Sequence, residues 1–329
     1  SGSSGEPKAV QLSQKAIINR LLWMQDCFAL ESGEHVLQKT DYSFDVSLSE
    51  IFWPLMFGGT LVSATAKQRF DSQAIASLIK QHNVSFCHFV PSMLQQFLQH
   101  QSTSLPSLKT VAVSGEVLGA SLQQAFFATF ADCQLYNLYG PTEAAIDVSY
   151  HRCQENLSPC LGTPINNCQI AITQNLQLLP PFTIGEITLA GDCLAQGYLN
   201  SQSPAFGQQQ HLGRCYYTGD LGFIDNQQQL HFIGRNDNQL KVRGIRIQPA
   251  QIEQALQQHP AVSQSKLLVA QQRLLLFYQG EKQPEQQLQQ FLQQALPQLM
   301  LPQRICHVAT WPRLASGKIN SQALIKQLT

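Results

Sequence analysis

From residue 13 to about residue 138, short apolar runs alternate with segments of helical period. Ser13 precedes an amphipathic stretch running through Lys15, Ala16, Ile17, Ile18, Leu21 and Leu22 to about Leu30, and so reads as its N-cap. Apolar runs at 61–64, 84–90 and 110–113 and a strand at 134–138 are spaced by helix-like segments at 72–82, 91–99 and 121–131. This alternation predicts a parallel sheet with crossover helices. After about residue 150 the texture changes: strand-like pieces at 169–173, 185–190, 221–225 and 230–233 sit between Gly, Pro and Asn turns, a β-rich lobe. Past Asp237 a small α+β arrangement follows. Pro249 opens a helix to about Gln258, strands are expected at 266–269 and 274–278, and a helix at 285–295. The expected class is therefore α/β, with a large domain (1–236) and a small C-terminal α+β domain (237–329).

Composition narrows the function without naming it. Lys+Arg and Asp+Glu balance at 21 each, so no net field favours nucleic acid or an anionic membrane. Charged residues make up only 13% of the 329 residues, with glutamine taking much of their place. No apolar run approaches the ~18 residues of a spanning helix. Nine cysteines, an odd number with no C-x-x-C pair, argue against a disulfide framework or a zinc site and for reduced thiols in a cytoplasmic protein.

Several short segments carry candidate chemistry. Residues 2–8 pack Gly2, Ser3, Ser4, Gly5 and Lys8 together, a composition suited to cradling phosphate and equally that of a Gly/Ser linker or vector-derived scar. Tyr139-Gly140-Pro141-Thr142-Glu143 follows the strand at 134–138, where open α/β sheets bind nucleotides, although Tyr-Gly-Pro is also a plain turn. Tyr217-Thr218-Gly219-Asp220 places an aspartate in a turn, either stabilising it or taking two vicinal hydroxyls. Gly234-Arg235-Asn236-Asp237 through Gly244 and Ser316-Gly317-Lys318 complete the set.

Five such motifs in this order and spacing resemble the adenylate-forming superfamily. Phe44-Asp45-Val46-Ser47 makes the chain similar, within it, to the adenylation domains of nonribosomal peptide synthetases, where the aspartate holds the substrate α-ammonium. Asp45 also suits the N-cap of a helix toward Phe57, and the two roles are compatible. The resemblance implies activation of an amino acid by ATP and Mg²⁺, release of pyrophosphate, and transfer to a carrier-protein phosphopantetheine, with other synthetase domains as partners. It assigns Ser3, Ser4 and Lys8 to the β- and γ-phosphates, Tyr139 to stacking on adenine and Asn137 to its edge. Thr142 falls to the α-phosphate, Glu143 to Mg²⁺, Asp220 to the ribose with Arg235 in support, Lys318 to charge stabilisation at the α-phosphorus, and Asp237 to a hinge.

The substrate pocket carried over in the same way comprises Asp45, Val46, Ser49, His88, Ala112, Ser114, Leu138, Ile146 and Asp147, with Lys318. Polar His88, Ser114 and Asp147 around a short side chain resemble serine-activating domains, while Ser49 and Ala112 are smaller than that pattern. His88 also reads as an ordinary core histidine. Ala9, Gln196 and Gln248 stand where the family has Gly, Arg and Glu. The family has a long segment ahead of its phosphate loop, and the sequence opens on that loop, so an N-terminally incomplete domain of little activity is expected. An acyl- or aryl-CoA ligase, or a non-catalytic remnant binding partner proteins, are the alternatives.

Overall fold

The structure, a computed structural model, describes residues 9–100, 105–199, 203–236, 240–242, 245–247, 249–270, 273–312 and 319–326. They fall into two units, one within Lys8–Asp237 and one within Asn238–Thr329.

The larger unit opens with β1 (Val10–Gln11), α1 (Gln14–Phe28), β2 (His35–Gln38), α2 (Val46–Met56), β3 (Thr60–Ser63) and α3 (Ser72–Gln81). β4 (Val84–Phe89), α4 (Pro91–His100), β5 (Thr110–Val113), α5 (Ala120–Thr129), β6 (Gln134–Tyr139), β7 (Ser149–Arg152) and β8 (Thr163–Pro164) follow. The helix starts have local causes: Ser13 Oγ accepts from Ala16 N at 3.1 Å to cap α1, and Asp71 Oδ1 accepts from Gln73 N and Ala74 N to cap α3. The strands form one sheet in the order β3-β2-β4-β5-β6-β7-β8, parallel from β3 to β6 and antiparallel beyond.

Both faces of the parallel region are covered, which explains its nearly continuous apolar runs. Ile75, Ile79, Leu94, Phe97 and Phe126 of α3–α5 pack on Cys87, Phe89, Val111, Val113 and Leu135. On the opposite face Leu21, Trp23 and Met24 of α1 and Trp53 of α2 pack on Val36, Phe86, Ala112, Tyr136 and Leu138. His88 pairs with Ala112 in register, so His88, Ala112 and Leu138 share the α1/α2 face.

The β-rich lobe contains β9 (Cys168–Gln174), β10 (Gln177–Leu178), β11 (Gly185–Gly191), β12 (Gly197–Tyr198), β13 (Phe206–Gln209), β14 (Gly213–Ile224) and β15 (Leu230–Arg235). Its main sheet runs β10-β9-β11-β14-β13, with β15 also on β14, while β12 pairs with β1. β14 is longer than the sequence suggests. It pairs with β13 through Tyr216 and with β15 from Asp220 onward, and Gly219, at φ 71°, lies between the two registers. What reads as a turn is the point where one strand changes partner.

The smaller unit contains β16 (Leu240–Val242), β17 (Ile245–Ile247), α6 (Pro249–Gln257), β18 (Val262–Ala270), β19 (Arg273–Gly280), α7 (Glu285–Ala295), β20 (Arg304–His307) and α8 (Ser321–Lys326). β18-β19-β20 form a sheet with α6 and α7 residues packed on one set of its side chains and Trp311 and Leu324 on the other. All nine cysteines are unpaired, and no described helix is long and apolar enough to cross a membrane.

Candidate active site

The carboxyl ends of β4, β5 and β6 and the turn after β6 bring most of the nominated residues together. Gly140 is fixed by close approach: a Cβ there would lie 2.5 Å from Asp147 Cα and 2.6 Å from the Ile146 carbonyl oxygen. The intervening turn is itself held in unusual backbone geometry, with Ala145 at φ 53° and Ile146 at φ 81°. Gly140→Ala should therefore destabilise the chain by about 1–3 kcal/mol, the usual cost of forcing atoms into a packed site. A chemical-denaturation midpoint equal to the wild type's would show that the turn yields freely.

On one side of this turn, Tyr139 Oη donates to Asp220 Oδ2 at 2.6 Å, and the Arg235 guanidinium donates to the other carboxylate oxygen. Asp220 faces Arg235 directly across β14 and β15, and its own N–H donates to Thr218 Oγ1 at 3.0 Å. Burial and the Asp220 carboxylate push the Tyr139 phenol well above its ordinary range, so it remains a donor. Asn137 is buried with Nδ2 donating to the Cys160 carbonyl at 2.7 Å, while Oδ1 has no partner among the described residues.

Within the turn, Glu143 accepts from Tyr198 Oη at 2.6 Å, and its carbonyl accepts from Ala195 N at 2.9 Å. Tyr198 pairs with Val10, so the chain just after the glycine-serine run passes beside Glu143. Thr142 is exposed, and its hydroxyl hydrogen-bonds the Asp45 carboxylate.

On the α1/α2 face, Asp45 occupies the N-cap position of α2 without making a side-chain cap bond, so the capping role falls away. Its Oδ2 is shut off from solvent with no partner among the described residues. Burial pushes its pKa up to about 6; Thr142 opposes the shift and the Asp147 charge adds to it. Val46 and Ser49 lie in the first turns of α2, and Ser49 Oγ donates back to the Val46 carbonyl at 2.7 Å. His88 is buried, its Nε2 paired with Ser114 Oγ at 2.9 Å and its Nδ1 unpartnered among the described residues. Burial first, then Lys39 and Arg20, hold it well below its ordinary pKa and hence neutral. Ala112, Leu138 and Ile146 are buried.

Arg20 of α1 is the main residue that sequence reasoning missed. It is 1% exposed, and its Nη2 donates to Asp147 Oδ2 at 2.9 Å across 127 residues. The available signal was an arginine at i+4 from Ala16 on the apolar stripe of an amphipathic helix, where a charge requires a partner. Tyr198 carries no sequence signal beyond its nearness to Gln196. Ser3, Ser4, Lys8, Asp237 and Lys318 lie outside the described residues.

The parallel sheet thus carries an acidic turn, a tyrosine–aspartate–arginine group and a buried acid near its carboxyl edge, where open α/β sheets bind ligands. The profile of the AMP-binding enzyme family matches residues 1–199. The chain belongs to that family, as an adenylation domain of the kind found in nonribosomal peptide synthetases. It is 37% identical to zwittermicin A synthase ZmaJ of Bacillus cereus over 98% of its own length and 66% of that protein's. Among solved structures it is similar to holo-PA1221, a synthetase protein with adenylation and PCP domains (TM-score 0.89, 26% identity, 99% of this chain and 59% of that one). It also resembles the adenylation domain AlmE of Vibrio cholerae, solved with glycyl-adenosine-5'-phosphate (TM-score 0.88, 27% identity, 100% and 65%). The chain thus spans less than two thirds of each of these proteins.

Proposed function

We propose that this chain converts an amino acid, with serine favoured, and ATP into an aminoacyl-adenylate, and that the adenylate then passes to a carrier-protein phosphopantetheine thiol. The observation that carries the reading is Asp45. An acid with a buried, unpartnered oxygen and a pKa raised to about 6 is complementary to an ammonium group, which a fatty or aryl acid lacks. It sits beside Thr142 in the turn that also bears Glu143, so amine recognition and the nucleotide motif meet at one place.

The residues divide the work as follows. Tyr139 and Asn137 take the base, with Asn137 Oδ1 free to accept from an exocyclic amine. Asp220, already oriented by Tyr139 and Arg235, retains lone pairs for ribose hydroxyls. Ser3, Ser4, Lys8 and Thr142 contact phosphates, and Lys318 stabilises charge at the α-phosphorus. Glu143, whose carboxylate accepts from Tyr198 Oη in the turn, would hold Mg²⁺, an ion commonly bound by one or two carboxylates plus substrate phosphates. When bound, the ion offsets phosphate charge.

In the first step a substrate carboxylate oxygen forms a bond to the α-phosphorus while the bond to the bridging oxygen breaks, and pyrophosphate leaves. In the second the thiol sulfur bonds to the acyl carbon, AMP leaves and the thiol proton is lost. Domains 1–236 and 237–329 would move about Asp237 between the two steps. The glycyl-adenylate in AlmE and the PCP domain of PA1221 are consistent with this sequence. His88, Ser114 and Asp147 surround the side chain with polar groups, which underlies the serine preference. ATP–pyrophosphate exchange across amino, fatty and aryl acids is the test. Serine should exceed alanine and valine, whereas exchange driven by fatty or aryl acids, or by valine ahead of serine, would overturn the proposal.

A further inference from the structure

We propose that Arg20 is a specificity-determining positioning residue: its ion pair with Asp147 holds an acceptor that selects a substrate side chain bearing a hydroxyl. The inference rests on the pocket reading above. Arg20 Nη2 and Asp147 Oδ2 are 2.9 Å apart, and both side chains are 2% exposed. The guanidinium lies over the Trp23 ring, 4.5 Å from its centroid, which limits its freedom. Arg20 Nε and Nη1 and Asp147 Oδ1 are buried and have no partner among the described residues.

A buried ion pair can often be replaced by well-packed apolar residues without loss of stability, so stability alone gives little reason for this one. Unpartnered atoms on both members call for a group that donates and accepts at once. A hydroxyl is the smallest side-chain group to do so, donating to Asp147 Oδ1 and accepting from a guanidinium N–H. Alanine or valine would leave both members unmet. The charge pattern agrees. The pocket has two carboxylates that feel each other, Asp45 and Asp147, and Arg20 answers one of them, leaving the substrate ammonium to answer the other. Neutral His88, bonded to Ser114, adds no competing cation.

The experiment compares kcat/KM for serine and alanine in the full chain for the wild type, Arg20→Gln, Arg20→Lys and the apolar pair Arg20→Met/Asp147→Leu. Arg20→Gln should lower the serine-to-alanine ratio roughly 10–100-fold, the cost of an unmet buried polar group. The change should fall on KM for serine and leave KM for ATP unaltered. Arg20→Lys should restore part of the ratio. The apolar pair should keep the wild-type melting temperature and lose the preference. A ratio within threefold of wild type in Arg20→Gln, or serine and alanine falling in parallel in every variant, would mean that Arg20 is merely structural. No serine preference in the wild type would instead defeat the substrate reading and the inference with it.

Discussion

Asp45→Asn is expected to lower kcat/KM for the amino acid by roughly 10²–10³, the effect of removing one member of a buried, hydrogen-bonded charge pair. The same change should make the chain without substrate more stable. Asp45 has its pKa raised from 3.8 to about 6, mainly by burial, so the folded chain binds a proton more readily than the unfolded chain. The sign follows from linkage. Between pH 4 and 6 stability falls as pH rises, and above about 6 the full penalty of the buried charge is present. Asparagine removes that penalty, which at ~1.36 kcal/mol per pKa unit amounts to about 1–3 kcal/mol. The acid limb of the wild-type profile of kcat/KM for the amino acid should lie near pH 6, since ammonium binding requires the ionised acid. The profile for ATP at saturating amino acid should lack it. Paired exchange kinetics and thermal melts at pH 7 make the test. An Asp45→Asn variant that retains more than a third of its activity, or melts below the wild type, would overturn the role given to this carboxylate.

Lys318→Ala is expected to slow adenylate formation by ~10²–10³, the usual loss for one preorganised donor aimed at developing charge. The affinities for amino acid and ATP should change far less, because the contact is made in the transition state. Described residues on either side of Lys318 in the sequence pack together. Asn320 N donates to the Pro312 carbonyl at 2.7 Å, and Trp311, whose Nε1 donates to Gln264 Oε1 at 2.9 Å, packs with Leu324 and Ile319. Single-turnover formation of aminoacyl-AMP isolates the step. A change smaller than threefold, or a loss confined to KM, would remove Lys318 from the chemistry.

The helices and central strands of the large sheet are legible because their signals are local. Ser13 announces the start of α1, which its hydroxyl caps, and the apolar runs at 84–90 and 110–113 become strands buried on both faces. β2 escapes sequence reading, since His-Val-Leu-Gln has no period of its own and becomes a strand by pairing with β3 and β4. β20 is a four-residue segment that pairs parallel with β19, which no local pattern announces. β14 reads largely as a turn because the Gly219 and Asp220 region, where its partner changes, carries turn residues.

The sequence by itself determined the α/β class, the order of the motifs and which residue types were available for nucleotide and amine recognition, since these depend on neighbours along the chain. Only the tertiary structure decided how they are joined. It brought Tyr139 onto Asp220 from 81 residues away, Tyr198 onto Glu143 from 55, and Arg20 onto Asp147 from 127. It also decided that Asp45 is an acid buried beside Thr142 and lacking a partner for Oδ2 among the described residues, where the sequence alone also admits a helix N-cap. Periodicity records which face of an element is buried. It carries no information about which distant charge that face will meet, because burial and desolvation arise only when the elements pack.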